Sequence, residues 1–271
     1  MIEVAFQGER GAFSEDAAIK LFGEEIDFLS CVSLRDVFRV VSEGRVEVGV
    51  VPVENSQAGS INDTYDLLLS CSLNIVAEVI LRVSHCLMAL PGEKVDDIAT
   101  IYSHPQALAQ CEEFLNKLKV EIIPSYDTAG SAKMIKERGL KNCAAIASRK
   151  AASIYGLEIL APEIETNINN YTKFFAISKQ EAKRAQRNKT SLVFAVKHVP
   201  GALHSNLGVF ANRNINLTKL ESRPSKSKPW EYVFYADFEG HLADEAPKEA
   251  LKELRSGATF VKILGSYPQA E

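Results

Sequence analysis

The chain contains 271 residues, a length typical of two domains or one large domain at roughly 150 residues per domain. Hydrophobic residues make up 46% and charged residues 24% of the sequence, which is the usual balance of a globular protein. The 15 glycines and 10 prolines are too few for a collagen-like or low-complexity chain. A net charge of −4 lacks the basic excess of a nucleic-acid-binding domain, but it leaves small anionic ligands open.

No part of the sequence predicts a membrane span or an export signal. The longest run without Asp, Glu, Lys or Arg extends from His198 to Asn212, which is shorter than the about 20 apolar residues of a spanning helix. The N-terminus has Glu3 in place of a basic region and lacks an apolar segment of signal-peptide length. We therefore expect a cytoplasmic protein.

The spacing of the cysteines and histidines argues against a disulfide framework or a metal site. The five cysteines are an odd number, no two form a C-x-x-C pair, and the five histidines are scattered. The sequence also lacks a Walker loop and any G-x-G-x-x-G string. We therefore predict free thiols, no bound metal and no cofactor.

One basic segment divides the chain. Residues 179–189, KQEAKRAQRNK, contain five basic residues and no large apolar side chain, and they lie between the apolar runs YTKFFAI and SLVFAV. This composition predicts a solvated linker. The linker would separate a first domain, 1–178, from a second domain, 190–271.

The first domain alternates short apolar runs with segments of helical character, which predicts βα units and a largely parallel sheet. Residues 73–90 are expected to be extended, and PQALAQCEEFLNKL is expected to form one helix. Small polar residues stand at four predicted helix starts, which are Ser14, Asn55-Ser56, Ser103-His104 and Asp127-Thr128. Such residues cap helices, and they also present hydroxyl and N–H groups where α/β proteins bind ligands. If they converge, they form a site for carboxylates or phosphates.

The second domain is predicted to have the element order β-α-β-β-α-β. This order is typical of a small ferredoxin-like module. A core of about 80 residues is small, and such modules often pair edge to edge.

A series of specific strings runs along the chain in the order QGERGAFSEDAA, GVVPVENSQAGSINDTYDLL, SHPQALAQC, DTAGSA, NNYTKFF, PGALHSNL and INLTKLESRP. Together these strings resemble the prephenate dehydratases and the closely related arogenate dehydratases, over nearly the whole chain. The last two resemble the ACT regulatory module of these enzymes. The resemblance implies an α/β fold with a two-lobed catalytic domain, similar to a type II periplasmic binding protein, and a ferredoxin-like βαββαβ ACT domain.

The resemblance also implies a reaction and its partners. Prephenate would lose CO₂ and its ring hydroxyl to form phenylpyruvate, and aromatisation would supply the driving force without a cofactor. L-phenylalanine would act as effector on a homodimer or homotetramer, with no nucleic-acid or membrane partner. Because the first motif starts by residue 7, we expect a monofunctional enzyme without a preceding chorismate mutase region.

The family's essential Thr-Arg-Phe motif is Thr172-Lys173-Phe174 in this chain. The resemblance assigns to Thr172 the hydroxyl that donates to the departing hydroxyl group of the substrate. Lys173 keeps the charge of the family's arginine but not its planar fork. The residues expected to bind substrate are Asn55, Ser56, Thr128, Lys173, Phe174, Ser14 and Gly11. Glu54 is expected to orient its loop, and His104 to start a helix.

The ACT motifs imply an effector site formed by Gly201, Ala202, Leu203 and His204 and by Glu221, Ser222, Arg223 and Pro224. Gly201 lets the backbone approach a ligand at a helix start, where amides hold a carboxylate. Glu221 would accept from an ammonium group. His204 stands where the family usually has Val.

Two alternative functions remain open from the sequence. The strings VSHCLMA, DTAGSAKMI and ILGSYP resemble plant arogenate dehydratases, which act on the amino analogue of prephenate. A ligand sensor without catalysis is the alternative from another class. The change at Lys173 leaves room for a sensor, whereas the presence of Thr172 argues against it.

Overall fold

The structure is a computed structural model that describes residues 2–225 and 230–270. The chain folds into two compact units. One unit consists of Met1–Thr64 and Val79–Phe175, and the other of Tyr65–Glu78 and Ala176–Glu271. The second unit therefore includes a segment from the middle of the chain, which chain order alone did not predict. In the described residues, no helix combines the length and apolar character needed to cross a membrane.

The elements up to residue 178 alternate between strands and helices, in agreement with the prediction of βα units. The strands are β1 (Ile2–Gln7), β2 (Ile26–Cys31), β3 (Val48–Asn55), β4 (Gly59–Ser60), β5 (Asn74–Arg82), β6 (Cys86–Ala89), β7 (Thr100–Ser103), β8 (Glu121–Pro124), β9 (Cys143–Ala147), β10 (Glu158–Ala161) and β11 (Tyr171–Ser178). The helices are α1 (Phe13–Phe22), α2 (Leu34–Glu43), α3 (Asn62–Ser70), α4 (Pro105–Gln110), α5 (Glu112–Leu115), α6 (Thr128–Arg138) and α7 (Arg149–Tyr155), with a 3₁₀ turn at Val95–Asp97.

The first sheet has the strand order β2-β1-β3-β11-β5, with β4 paired to β3. Strand β1 is parallel to both neighbours, with Val4 opposite Phe28 of β2 and Phe6 opposite Val50 of β3. Val4, Phe6 and Val50 are fully buried. Parallel strands covered on both faces read as continuous apolar runs, which explains the pattern of β1 and β3.

The second sheet has the order β10-β6-β9-β7-β8 and is mixed, where a largely parallel arrangement was predicted. Strand β7 is parallel to β8 and β9, but β6 is antiparallel to both β9 and β10. The extended segment 73–90 is interrupted at residues 83–85, so β5 joins the first sheet and β6 the second. Apolar composition predicts extended structure, but it does not predict which sheet a strand joins.

The helix predicted for PQALAQCEEFLNKL is broken at Cys111 into α4 and α5. The backbone of Cys111 leaves the helical region, with φ −108° and ψ 16°. Its side chain is fully buried in the same apolar cluster as Leu108 and Leu115. The helix thus breaks at a residue that is buried together with Leu108 and Leu115. Helix propensities alone do not predict such a break.

The C-terminal part of the second unit has the predicted β-α-β-β-α-β order. Its elements are β12 (Asn188–Ala195), α8 (Ala202–Ala211), β13 (Leu217–Pro224), β14 (Tyr232–Glu239), α9 (Glu245–Gly257) and β15 (Phe260–Pro268). The strand order is β13-β14-β12-β15, and neighbouring strands are antiparallel. Both helices cover one face, where the buried cluster includes Phe194, Phe210, Phe238 and Leu254.

The basic segment predicted as a linker has no helix or strand over residues 179–187, and β12 begins at Asn188. Lys189 is not solvated. Its Nζ lies 2.6 Å from Oε1 of Glu78, and both side chains are buried. Lys262 of β15 donates to the carbonyls of Leu68 and Leu69 at 2.8 Å each, which satisfies free carbonyls at the end of α3.

Candidate active site

A cavity of about 210 Å³ lies in the first unit, where the ends of several elements meet. Each of the four polar junctions found in the sequence contributes to its wall. The polar side chains on the wall include Ser14, Asn55, His85, His104, Gln110, Asp127, Thr128 and Thr172. The condition that the junctions converge is therefore met, although Ser56 and Ser103 are not on the wall.

The described residues that line this cavity include no lysine and no arginine. Their one carboxylate belongs to Asp127, whose Oδ2 already accepts from the backbone N–H of Gly130 at 3.0 Å and of Glu9 at 3.1 Å. The electropositive groups on the wall are thus the first turns of α1 and α6, helices of 10 and 11 residues. Helix N-termini of this kind favour bound carboxylates.

The start of α1 differs from the prediction, because Ser14 lies inside the helix and is not its cap. The N-cap is Ala12, which makes no side-chain hydrogen bond. Instead, the buried Glu15 accepts from the N–H of Gly11 through Oε2 at 2.6 Å. Gly11 has φ +88°, and a Cβ there would lie 2.7 Å from the Cα of Ala151. Ser14 lines the cavity, whereas Gly11 shapes the turn and is absent from the lining.

Asn55 is the last residue of β3 and Ser56 begins the following turn, so neither opens a helix, contrary to the prediction. The Oδ1 atom of Asn55 accepts from the N–H groups of Gln57 at 3.0 Å and Ala58 at 2.9 Å, which closes a turn leading into β4. Ser56 is exposed, and its hydroxyl accepts from the N–H of Tyr171 at 3.0 Å. Asn55 lines the cavity, whereas Ser56 connects the turn to β11.

The other two junctions start helices as predicted. His104 caps α4, with its Nδ1 accepting from the N–H of Gln106 at 3.2 Å. Asp127 caps α6, and Thr128 is the first residue of that helix. Thr128 lies on the cavity wall beside the first turn of α6.

Alternation along β11 separates the three residues of the Thr-Lys-Phe motif. Thr172 and Phe174 line the cavity, but Lys173, between them, does not. Successive side chains of a strand point to opposite faces, so one residue of the three must lie on the other side. The Nζ of Lys173 is 3.3 Å from Oε2 of Glu54 in β3. Lys173 thus forms an ion pair with Glu54 and is not on the cavity wall, and its expected contact with the substrate stays a prediction.

Thr172 is the residue with the clearest chemical arrangement. It is buried, with 8% of its surface exposed, and its Oγ1 accepts from Nδ2 of Asn55 at 3.0 Å. An amide N–H can only donate, so the hydroxyl oxygen is engaged as an acceptor. The hydroxyl proton then remains available for an acceptor in the cavity.

His85 and Gln110 also line the cavity, and sequence reasoning did not select them. His85 lies between β5 and β6, and Gln110 is the last residue of α4. Nε2 of His85 is 2.9 Å from Oε1 of Gln110, which also accepts from Nδ2 of Asn170 at 3.0 Å. Burial lowers the pKa of His85, so the ring is neutral near pH 7. The available signal was a single histidine inside the apolar run VSHCLMA, where a buried polar group needs a partner.

The predicted effector residues lie on two elements of the second unit. Gly201, with φ +78°, is the N-cap of α8, and the first turn of that helix contains Ala202, Leu203 and His204. Leu203 also packs against the apolar core, in agreement with its spacing. The other four residues are Glu221, Ser222, Arg223 and Pro224 of the edge strand β13. Oε2 of Glu221 lies 3.0 Å from Nζ of Lys219.

All five cysteines are free thiols. Within residues 2–225 and 230–270, no three His, Cys, Asp or Glu side chains are grouped to hold a metal ion. The groups that the cavity wall offers to a ligand are mainly hydroxyl, amide, imidazole and backbone N–H groups.

Comparison with known proteins identifies the family of each part of the chain. Residues 4–182 match the family model of prephenate dehydratase, and residues 190–256 match that of the ACT domain. The chain is 44% identical to the chloroplastic arogenate dehydratase/prephenate dehydratase 2 of Arabidopsis thaliana, over 98% of this chain and 73% of that protein.

Two solved structures share the fold over nearly their full length. Prephenate dehydratase from Arthrobacter aurescens, in complex with L-Phe, has a TM-score of 0.90 at 30% identity and covers 99% of this chain and 90% of its own. GqqA, described as a novel type of quorum quenching acylase, has a TM-score of 0.88 at 36% identity and covers 98% and 97%. These matches confirm the expected fold class, and the chain belongs to the prephenate dehydratase family, with an ACT domain after the dehydratase region.

Proposed function

We propose that this protein is a prephenate dehydratase that forms phenylpyruvate and is regulated by L-phenylalanine. The observation that carries the proposal is the hydroxyl of Thr172, which lines the cavity while its oxygen accepts from Asn55. Membership of the family supplies the reaction that such a hydroxyl would serve.

Binding of the dianionic substrate is proposed to use the first turns of α1 and α6. Ser14 and Thr128 lie on the cavity wall at these two helix starts, so each adds a hydroxyl to the backbone N–H groups. Phe174 supplies an apolar surface for the ring. Carboxylates held in this way need no cationic side chain, because the helix ends carry partial positive charge.

The reaction breaks two bonds of the substrate. The ring carboxylate leaves as CO₂, and the electron pair of its C–C bond moves into the ring as the C–O bond at C4 breaks. The departing oxygen takes the proton of Thr172 and leaves as water. The Nδ2–H of Asn55 stabilises the charge that develops on Oγ1, to which solvent returns a proton. General-acid assistance of this kind contributes roughly 10²–10⁴-fold to the rate.

The test is a two-substrate assay with the purified chain. Prephenate and arogenate are supplied separately and in competition, and phenylpyruvate absorbance and phenylalanine formation are followed. We expect a higher kcat/KM with prephenate. A higher value with arogenate would identify an arogenate dehydratase, the first activity in the name of the Arabidopsis relative. Binding of prephenate without turnover would identify a ligand sensor and contradict the proposal.

Acyl hydrolysis, the activity for which GqqA is described, has less support in this cavity. An activated nucleophile needs a base within hydrogen-bond reach. The hydroxyls on the wall belong to Ser14, Tyr126, Thr128 and Thr172, and in the described chain none of them bonds a histidine. An N-acyl substrate serves as the negative control of the assay.

The effector site is proposed at the start of α8 and on β13. Gly201 opens a 10-residue helix in a left-handed conformation, so the first-turn N–H groups can hold a carboxylate, and Glu221 accepts from the ammonium group. The solved relative from Arthrobacter aurescens contains L-Phe. Calorimetric titration with L-phenylalanine tests the site. Glu221→Gln should weaken binding at least about tenfold, the loss of one charge-assisted hydrogen bond.

We also propose a cytoplasmic homodimer or homotetramer with a dehydratase domain at 1–178, a linker at 179–189, whose last two residues begin β12, and an ACT domain at 190–271. Five free thiols suit a reducing compartment. Strands β13 and β15 are the edges of the antiparallel sheet, and edges of this kind pair with other chains. The absence of helix or strand over the described residues 179–187 supports the linker. Light scattering measures the oligomeric state.

A further inference from the structure

We infer that His85 is a positioning residue for Thr172 and acts through three side-chain amides; this inference rests on the proposed function. The amides belong to Asn55, Gln110 and Asn170, which are far apart in the chain but hydrogen-bonded to one another. His85 contacts one end of this group, and Thr172 contacts the other.

The orientation of the first amide follows from the backbone. Oδ1 of Asn55 faces the N–H groups of Gln57 and Ala58, which can only donate. Nδ2 of Asn55 must therefore face the other way, where it lies 2.8 Å from Oδ1 of Asn170, 3.0 Å from Oγ1 of Thr172 and 3.2 Å from the backbone carbonyl oxygen of Tyr171. The two N–H bonds of this amide are thus shared among three acceptors, of which Asn170 and Thr172 are the nearer two.

The orientation of the other two amides follows from the first. Because Oδ1 of Asn170 accepts, its Nδ2 is the donor that lies 3.0 Å from Oε1 of Gln110. The Nε2 of Gln110 then faces Oδ1 of Asn55 at 3.4 Å. Oε1 of Gln110 is also 2.9 Å from Nε2 of His85. An amide oxygen only accepts, so His85 carries its proton on Nε2.

The burial of His85 supports a role for this single contact. His85 is 2% exposed, and its ring packs edge-on against Phe13, with 5.6 Å between ring centroids. Its other nitrogen, Nδ1, is buried without a hydrogen-bond partner in the described chain. An unsatisfied buried nitrogen is costly, and an apolar side chain would avoid this cost. The histidine is therefore explained by what its Nε2–H does.

The two backbone contacts of Oδ1 determine which atom of Asn55 faces the threonine, and the tilt of the amide plane is set on the Nδ2 side by Asn170 at 2.8 Å and by the more distant carbonyl of Tyr171 at 3.2 Å. Asn170 is held by Gln110, and Gln110 is a flexible side chain whose oxygen takes two donors, Asn170 and His85. Removal of the Nε2–H would loosen Gln110 and, through Asn170, the amide that directs the hydroxyl of Thr172. Small displacements of a positioned group reduce catalysis without abolishing substrate binding.

Two substitutions of His85 separate the hydrogen bond from packing. His85→Gln keeps an N–H donor at about the reach of Nε2, whereas His85→Leu removes the donor at similar volume. We expect His85→Leu to lower kcat about tenfold with KM changed less than about threefold, and His85→Gln to recover most of the rate. Equal losses in the two variants at equal thermal stability would overturn the inference.

A double variant tests whether the effect passes through Asn55. Asn55→Asp removes the Nδ2 donor to Thr172, so a further His85→Leu change should lower kcat less than about twofold in that background. If the double variant instead loses kcat by the product of the two single-variant factors, His85 acts independently of Asn55 and the inference is overturned. The melting temperature of each variant is measured beside its kcat.

A measurement on the unmodified protein covers the case in which a variant does not fold. Nitrogen NMR of ¹⁵N-histidine-labelled protein near pH 7 should show His85 as the neutral tautomer protonated at Nε2, whereas the Nδ1–H tautomer or a charged ring would overturn the inference. If the unmodified protein does not dehydrate prephenate, the proposed function fails. If it does so and the His85 variants match it, only the positioning role of His85 fails.

Discussion

Nδ2 of Asn55 lies 3.0 Å from Oγ1 of Thr172, so the end of β3 is hydrogen-bonded to the adjacent strand β11 at the cavity wall. The same asparagine uses its Oδ1 to close the turn at Gln57 and Ala58. One side chain therefore shapes the loop and sets the direction in which the threonine hydroxyl donates. Asn55 therefore links the geometry of the turn to the proposed proton donor, Thr172.

The first prediction concerns the hydroxyl of Thr172. Thr172→Val keeps the shape and removes the proton donor, and kcat with prephenate should fall at least about 10²-fold. Thr172→Ser keeps a hydroxyl and should lose less than about tenfold. Steady-state kinetics check both values. A loss below tenfold in Thr172→Val would remove the general-acid role.

The second prediction separates the contacts of the Asn55 amide oxygen from those of its amide nitrogen. Asn55→Asp retains an oxygen for the N–H groups of the turn but replaces the donor to Thr172 by an acceptor. We expect kcat to fall by roughly 10²-fold, as for loss of a charge-stabilising donor. The melting temperature should stay closer to that of the unmodified protein than in Asn55→Ala, which also loses the turn contacts. Unchanged kcat in Asn55→Asp would contradict the role of Nδ2.

The third prediction concerns Lys173, which pairs with Glu54 and is absent from the cavity wall. Lys173→Met should change KM for prephenate less than about threefold. A partly exposed ion pair contributes at most about 1 kcal/mol, so stability should change little. The comparison with Thr172→Val, one residue away, tests the alternation of β11. A tenfold rise in KM would show that Lys173 contributes to substrate binding and would contradict this prediction.

The fourth prediction compares two glycines with similar backbone conformations. Gly11 and Gly23 have φ of +88° and +84°, but a Cβ at Gly11 would lie 2.7 Å from Cα of Ala151, whereas Gly23 has no neighbour within 4 Å. Gly11→Ala should reduce the free energy of unfolding by about 1–3 kcal/mol more than Gly23→Ala, because only the first change overpacks the core. Urea unfolding measures both. Equal effects would show that conformational strain alone decides the cost.

The fifth prediction is a pH dependence of stability. Burial lowers the pKa of His85 below its ordinary value of 6.5, so the unfolded chain binds a proton that the folded protein lacks. Neutral His85 makes its full contribution to the free energy of unfolding above about pH 6.5. This contribution is lost as the pH falls below that value, at up to about 1.4 kcal/mol per pH unit. His85→Gln should reduce the slope of the free energy of unfolding against pH between about pH 7 and pH 5. An unchanged slope in His85→Gln would contradict this prediction.

Local sequence pattern predicted the elements well and their partners poorly. The βαββαβ order of the second domain is confirmed, since each element there has its own apolar period and turn. The single extended segment 73–90 divides between two sheets, and residues 65–78 belong to the second unit. Periodicity shows which face of an element is buried, but not against what.

By itself, the sequence determined the fold class, the family and the identity of Thr172 as the candidate donor, because these depend on local periodicity and on contiguous motifs. Only the tertiary structure decided that Lys173 pairs with Glu54 and that His85 and Gln110 lie on the cavity wall. It also assembled the amides of Asn55, Gln110 and Asn170, which are 55 to 115 residues apart. Hydrogen bonds need atoms about 3 Å apart, and only the packed chain brings such distant residues to that distance.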